Sequence, residues 1–182
     1  FYEQPEYLDA VTRLIRLDQE AFKPDHILFS YHGLPEHQVK KSDRSGTHCL
    51  STDDCCAAIN PANRSCYRAQ CYATTRGLVQ RLGLQDDAWS MGFQSRLGRT
   101  PWIQPYTDEI LPQLVEQGVK RLLVSCPSFV ADCLETLEEI GLRAREDFIA
   151  AGGEDLKLVP CVNAEPDWVK AVEVLVRGTA TA

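Results

Sequence analysis

Two groups of residues in this chain have the types and spacing to do chemistry. The first is built on His32. It closes the apolar run His26-Ile27-Leu28-Phe29-Ser30-Tyr31-His32, and Gly33 and Pro35 follow. The run reads as a buried strand stopped by its glycine and proline. In open parallel sheets the ligand crevice lies outside the carboxyl ends of the strands. An imidazole there can exchange protons near neutral pH or bind a metal. The plain alternative is a turn histidine with a satisfied hydrogen bond. About a hundred residues on, Lys120-Arg121-Leu122-Leu123-Val124-Ser125-Cys126 reads as another buried strand, ended by Pro127. Asp132 and Glu135 then fall in the first turn of a helix that follows this strand. A capping box explains that pair without function. The functional reading is a carboxylate held near the strand ends, able to face His32 across the crevice.

The second group is Cys49, Cys55, Cys56, Cys66 and Cys71, five thiols within twenty-three residues. Their intervals are five residues, none, nine and four. Cys66 and Cys71 begin the next expected helix, where a thiolate gains from the helix N-terminus. A structural zinc site usually shows two close pairs, and only Cys66–Cys71 comes near that. Iron–sulfur clusters use four thiolates with looser intervals. Either metal would supply folding energy that a polar loop cannot draw from a core. Five thiols for four positions leave one spare; Cys55 and Cys56 are adjacent rivals, and His48 is a substitute ligand. Cys126, Cys133 and Cys161 stand among apolar neighbours and read as packing residues.

The elements that must position these groups alternate. Helices are expected over 6–20, 64–82, 106–118, 132–151 with a break near Gly141, and 166–177. Strands are expected over 26–32, 88–94, 120–126 and 156–160. Such alternation implies an α/β fold, a parallel sheet flanked by helices on both faces. The stretch from 33 to 63 shows no period and reads as an inserted, cysteine-bearing loop. Pro5-Glu6-Tyr7-Leu8-Asp9-Ala10-Val11 echoes Pro166-Asp167-Trp168-Val169-Lys170-Ala171-Val172, which suggests a duplicated architecture.

Composition narrows the partners. At 182 residues the chain makes one domain with a real core. Its net charge of −7, with both signs interspersed, argues against a nucleic-acid backbone as partner. No apolar run approaches the ~20 residues of a membrane span, and no signal peptide opens the chain, so a cytoplasmic protein is expected. The start, Phe1-Tyr2-Glu3-Gln4-Pro5, lacks an initiator Met and reads as a fragment whose upstream half is missing.

Taken in order, Phe1-Tyr2-Glu3-Gln4-Pro5, Ser30-Tyr31-His32-Gly33-Leu34-Pro35, Gly92-Phe93-Gln94-Ser95-Arg96, Pro101-Trp102-Ile103, Asp132-Cys133-Leu134-Glu135-Thr136-Leu137 and Asn163-Ala164-Glu165-Pro166 resemble the second half of the ferrochelatases. The resemblance runs nearly end to end. It implies that residues 1–182 form the C-terminal of two similar chelatase-type domains, with the active site between them and the first domain absent. It implies a lyase that inserts Fe²⁺, its metal substrate, into a porphyrin, protoporphyrin IX in haem biosynthesis. By the same resemblance His32 is the catalytic, iron-contacting histidine and Glu135 the facing glutamate, with Asp132 one turn before it. Trp102, Phe129 and Asp132 then belong to the porphyrin cleft. Gln94, Ser95 and Arg96 lie in a motif near that cleft and receive no separate role. Cys133 stands where many members carry His. Some bacterial members hold an iron–sulfur cluster in an internal cysteine segment, and residues 49–71 look like that variant, which implies a [2Fe–2S] cluster on four of the five thiols.

The chemistry agrees with these residue types. Metallating a porphyrin requires two pyrrole N–H protons to leave, and imidazole is a suitable base. One histidine and one glutamate form a weak, incomplete site that can hold iron without trapping it. An aromatic-walled pocket can hold the macrocycle bent, with its nitrogens exposed. Two other readings compete: a redox or metal-sensing iron–sulfur module carried on an α/β body, and a related tetrapyrrole chelatase for another metal or ring. On the chelatase reading, this segment alone is expected to be inactive.

Overall fold

A computed structural model describes residues 1–179. Its helices and strands alternate: α1 (Pro5–Phe22), β1 (His26–His32), α2 (Glu36–Lys41), α3 (Tyr67–Leu82), β2 (Trp89–Gln94), α4 (Thr107–Glu116), β3 (Arg121–Ser125), α5 (Leu134–Leu137), a π-helical turn (Glu139–Ala144), α6 (Arg145–Ala150), β4 (Asp155–Leu158) and α7 (Pro166–Thr179). The four strands form one parallel sheet in the order β2-β1-β3-β4. From β1 the chain moves to one side, and from β3 it moves to the other. The topological switch point therefore lies between β1 and β3, and their carboxyl ends carry His32 and the 126–133 loop.

Side chains of a strand alternate between its two faces. Ile27, Phe29 and Tyr31 of β1 accordingly pack with α1 and α3, together with Leu8, Val11, Ile15 and Leu78. Leu28 faces the other way, into Leu111, Leu114, Ile140 and Phe148, where β3 adds Leu122 and Val124. Both faces are thus covered, as the strand–helix alternation implies. Pro5 opens α1 and Pro166 opens α7, a position where the missing N–H costs nothing. The two echoing segments pack on one another. Tyr7 and Trp168 meet edge to face at 5.6 Å between ring centroids, and Arg13 pairs with both Glu165 and Asp167.

Gly92 sits where β2 and α4 touch. A Cβ there would come within 2.7 Å of Ile110 Cδ1 and 2.8 Å of Thr107 Oγ1, with the Thr107 Cα at 3.2 Å. Backbone cannot yield as a side-chain tip can. Gly92→Ala should therefore lower stability by about 1–3 kcal/mol, the usual cost of overpacking. Urea unfolding of the variant against the parent checks this, and an unchanged midpoint would show that α4 slides away freely.

Three expectations need correction. The stretch after His32 is not without structure. It carries α2, whose six residues bury only Val39, too few to display a period. The expected helix over 132–151 is three pieces. Asp132 precedes it, Cys133 caps it, and after α5 the backbone widens, so that Arg143 N–H reaches Glu138 O at 2.9 Å, five residues back. The expected break at Gly141 is this π-helical turn. Finally, α3 begins at Tyr67 rather than 64, with Cys66 as its N-cap, so Cys71 lies in its second turn.

Candidate functional site

His32 stands half-buried at the end of β1. Its Nδ1 lies 2.6 Å from the carbonyl oxygen of Gly33. A carbonyl can only accept, so the contact places a proton on Nδ1 and leaves Nε2 with a lone pair in the neutral ring. The peptide that joins His32 to Gly33 is pinned at both polar groups. Its N–H donates to Gln94 O at 2.8 Å, and its carbonyl accepts from the Tyr67 hydroxyl at 2.9 Å. Two aromatic rings flank the imidazole, Trp102 at 6.4 Å and Phe129 at 6.2 Å between centroids. Trp102 is held by its indole N–H on Leu97 O at 2.9 Å and by a bridge to Pro35. A Cβ on Gly33 would sit 3.2 Å from that indole ring and 3.0 Å from Gln94 O, so the bare backbone lets the tryptophan approach.

Glu135 occupies the single turn of α5. The capping role expected for it belongs to another pair, since Cys133 N–H donates to Thr136 Oγ1 at 2.9 Å. The Glu135 carboxylate is thus free of the cap. Its acidity is raised by a side-chain hydrogen bond from Cys133 and its own backbone N–H, with the nearby His32 adding to the effect. The α5 turn is fixed by Gln94. The Gln94 amide donates to Glu135 O at 2.5 Å and to Glu139 Oε2 at 3.3 Å. Its oxygen accepts from Ser30 Oγ at 2.7 Å and, more weakly, from Cys126 Sγ at 3.5 Å. The Ser30 hydroxyl proton is then spent, so Thr107 Oγ1, 2.8 Å away, must be its donor. The Glu139 carboxylate accepts from Ser95 N–H at 2.7 Å and Ser95 Oγ at 2.5 Å. Neither Gln94 nor Glu139 has a spacing signal in the sequence. Their roles come from the strand end and the widened helical turn.

These side chains open into one hollow of about 560 Å³ lined by His32, Ser95, Arg96, Trp102, Glu135 and Glu139, among others. It thus brings together the histidine, the glutamate and the tryptophan that the sequence singles out. Phe129 stands beside His32. Asp132 turns away: its carboxylate accepts from Asn163 Nδ2 at 2.7 Å and from Cys161 N–H at 3.1 Å. Burial opposes its charge, but these hydrogen bonds outweigh burial and lower its pKa. Asp132 thereby ties the loop after β3 to the loop before α7.

The cysteine group lies in the β1–α3 crossover. Side-chain hydrogen bonds join Cys49, Cys56 and Cys66, and the Cys55 and Cys56 sulfurs are 3.7 Å apart. All four are buried. Arg68 Nη1 points at Cys56 Sγ from 3.3 Å and at Cys55 Sγ from 3.7 Å, and Leu50 N–H points at Cys55 Sγ from 3.4 Å. Hydrogen bonds from Cys56, and from backbone N–H groups of Ala69 and Arg68 at the helix start, pull Cys66 down to about 5 against its burial. Burial pushes Cys49 up to about 12. Polar side chains brace the loop. Asp43 accepts from Ser45, His48 and Cys49, and buried Asn63 donates to Cys55 O and Ala58 O. Cys71 stands apart, in a small cavity lined by Phe1, Tyr7, Tyr31 and Tyr67. Its pKa is raised by burial, and in the second turn of α3 it gains nothing from the helix start. Among the described residues no group of three or more His, Cys, Asp or Glu side chains is arranged to hold a metal ion. The donor set of the gathered thiols, facing a guanidinium and N–H groups, still suits bound thiolates.

The ferrochelatase family model matches residues 1–180. A ferrochelatase of Stutzerimonas stutzeri (strain A1501) is 58% identical over 174 residues, 94% of this chain and 50% of that protein. Those of Ectopseudomonas mendocina (strain ymp) and Azotobacter vinelandii (strain DJ / ATCC BAA-1303) are 56% and 54% identical, over 96% and 97% of this chain and 51% and 52% of theirs. The chain spans about half the length of the curated relatives it matches.

Proposed function

The chain belongs to the ferrochelatase family, and from that premise we propose that it forms one of two similar domains of an enzyme that inserts Fe²⁺ into a porphyrin, protoporphyrin IX, in haem biosynthesis. The observation that carries this reading is the His32 imidazole, tied at Nδ1 and flanked by Trp102 and Phe129, at a hollow that also holds Glu135. The first domain supplies the other wall of the cleft.

His32 accepts pyrrole N–H protons at Nε2 as they leave, and the proton on Nδ1 stays on Gly33 O. Each Fe²⁺ inserted releases two protons, so the base must return each one to solvent, which the exposed hollow permits. Glu135 and His32 hold the incoming iron with too few ligands to trap it. Trp102 and Phe129 offer the macrocycle apolar faces. Glu135→Gln tests the carboxylate. In the full-length protein it should lower the metallation rate roughly 10- to 100-fold with its melting midpoint unchanged, since Glu135 makes no cap. A lower midpoint at full rate would return the residue to a structural role.

We assign Cys49, Cys55, Cys56 and Cys66 as the thiolates of one [2Fe–2S] cluster, with Cys71 outside the ligand set. Four buried thiols that share hydrogen bonds support the assignment, as does Arg68, which would offset thiolate charge. The cluster would supply the fold energy of a loop that otherwise rests on polar braces. A closed zinc cage, which asks four ligands to meet at one ion, is less well served. We place the protein in the cytoplasm, where thiols stay reduced; all eight cysteines are free here. Among the described residues no helix is long and apolar enough to cross a membrane.

A further inference from the structure

Three consecutive residues at the start of α3 reach in three directions. Cys66, the N-cap, shares hydrogen bonds with Cys49 and Cys56. Tyr67 turns to the end of β1, where its hydroxyl donates to His32 O at 2.9 Å. Arg68 spans both sides: Nη1 faces the Cys55 and Cys56 sulfurs, and Nε donates to Gln104 O at 3.2 Å, two residues beyond Trp102. One helical turn therefore touches the cysteine group, the main chain of His32 and the loop that carries Trp102.

We infer that this turn is a mechanical link between the two sites, and that Tyr67 is a positioning residue that makes the orientation of His32 depend on an assembled cysteine group. The inference rests on the proposed role of His32. Its physical basis is the peptide between His32 and Gly33. Gln94 O fixes its N–H from the sheet side, and Tyr67 fixes its carbonyl from the α3 side. Ser128 Oγ, 3.4 Å from His32 N, completes the surround. The next carbonyl along, Gly33 O, is the acceptor that holds Nδ1. If the Tyr67 hydroxyl is lost or displaced, the peptide can rotate, Gly33 O moves with it, and the ring loses the contact that selects its tautomer. Tyr67 can move only with the turn it stands on, and Cys66 anchors that turn to the thiols.

The test reads His32 directly, by ¹⁵N NMR of labelled histidine rings in the full-length protein, with His32→Ala to assign the signal. Tyr67→Phe keeps the ring and deletes only the hydroxyl. It should leave the iron and sulfide content and visible spectrum unchanged, yet convert His32 from the Nδ1–H tautomer to a mixture. It should also lower kcat roughly tenfold with KM for porphyrin unchanged, as for a misplaced reacting group. Cys49→Ser disturbs the thiols from outside α3, at a residue with no contact to His32. It should shift the His32 signal in the same sense, and adding Tyr67→Phe to it should change that signal little further. A parental His32 signal in Tyr67→Phe overturns the positioning role. A parental signal in Cys49→Ser protein that has lost its chromophore overturns the link. The NMR readout needs no turnover, so a parent protein that metallates no porphyrin would defeat the proposed function while the spectra still decide the link.

Discussion

Replacing His32 by Ala in the full-length protein is expected to lower porphyrin metallation by about 10³-fold, within the range lost when a positioned base is removed. The expectation follows from the proton count. Two N–H protons must leave the macrocycle, and the hollow offers His32 as its near-neutral base. Glu135 is held in its charged form by Cys133 and its own backbone N–H. It is a ligand for iron and a poor match for a pyrrole proton. The main-chain contacts of residue 32 with Tyr67 and Gln94 do not involve the imidazole. The variant should therefore fold and keep its visible spectrum. Single-turnover metallation, followed by porphyrin absorbance across pH, separates the outcomes. The parent should show a rate that rises through the titration of a base, and His32→Ala should be slow and flat. A variant within threefold of the parent would remove His32 from the reaction.

The second large effect is expected at Cys66. Cys66→Ser should abolish bound iron and sulfide altogether, whereas Cys71→Ser should leave them at the parental level. The two cysteines stand on the same helix, four residues apart in the interval between them, yet their surroundings differ. Cys66 receives N–H groups at the helix start and hydrogen bonds from two other thiols, which favour its thiolate. Cys71 is buried beside Tyr67, Tyr31 and Tyr7, which favours the neutral thiol. Without its metal the loop retains its polar braces at Asp43 and Asn63 but little apolar packing of its own. It should then become sensitive to protease between residues 43 and 63. Iron and sulfide analysis of both variants, with limited proteolysis, decides the matter. Colourless parent protein with one zinc per chain would replace the cluster by a structural metal site. Iron lost equally from Cys71→Ser would return that residue to the ligand set.

Much of the fold was legible in the sequence because burial on both faces of a parallel sheet leaves near-continuous apolar strands. The runs ending at His32 and Ser125 stand out for that reason, and strand ends are where such sheets place their ligands. The helices were legible where they are long and have one buried face, as in α1. They were not where the backbone departs from 3.6 residues per turn. A period cannot survive the widening after Glu138, so the 132–151 stretch looked like one helix, and the inward turn of Glu139 left no trace. Asp132 and Glu135 matched a capping pattern by spacing, but the cap uses the pair one residue later, Cys133 and Thr136. Gln94 was invisible as a functional residue because its importance lies in four partners from four segments, Ser30, Cys126, Glu135 and Glu139. Density of cysteines is a sequence property and marked the group correctly as unusual. Which thiol stands apart depends on where α3 begins, and that boundary was three residues off.

The Ser30–Gln94–Thr107 network has a consequence for anyone who would engineer a heat-resistant form. Buried hydroxyls and amides are natural targets for such redesign, since apolar groups of the same shape can be neutral or better for stability. Here the same three side chains are what register α5, a helix of four residues, against the sheet. An apolar core would keep the layers together and let that single turn drift. Durability and a placed carboxylate thus draw on the same few atoms, and selection for one alone would erode the other.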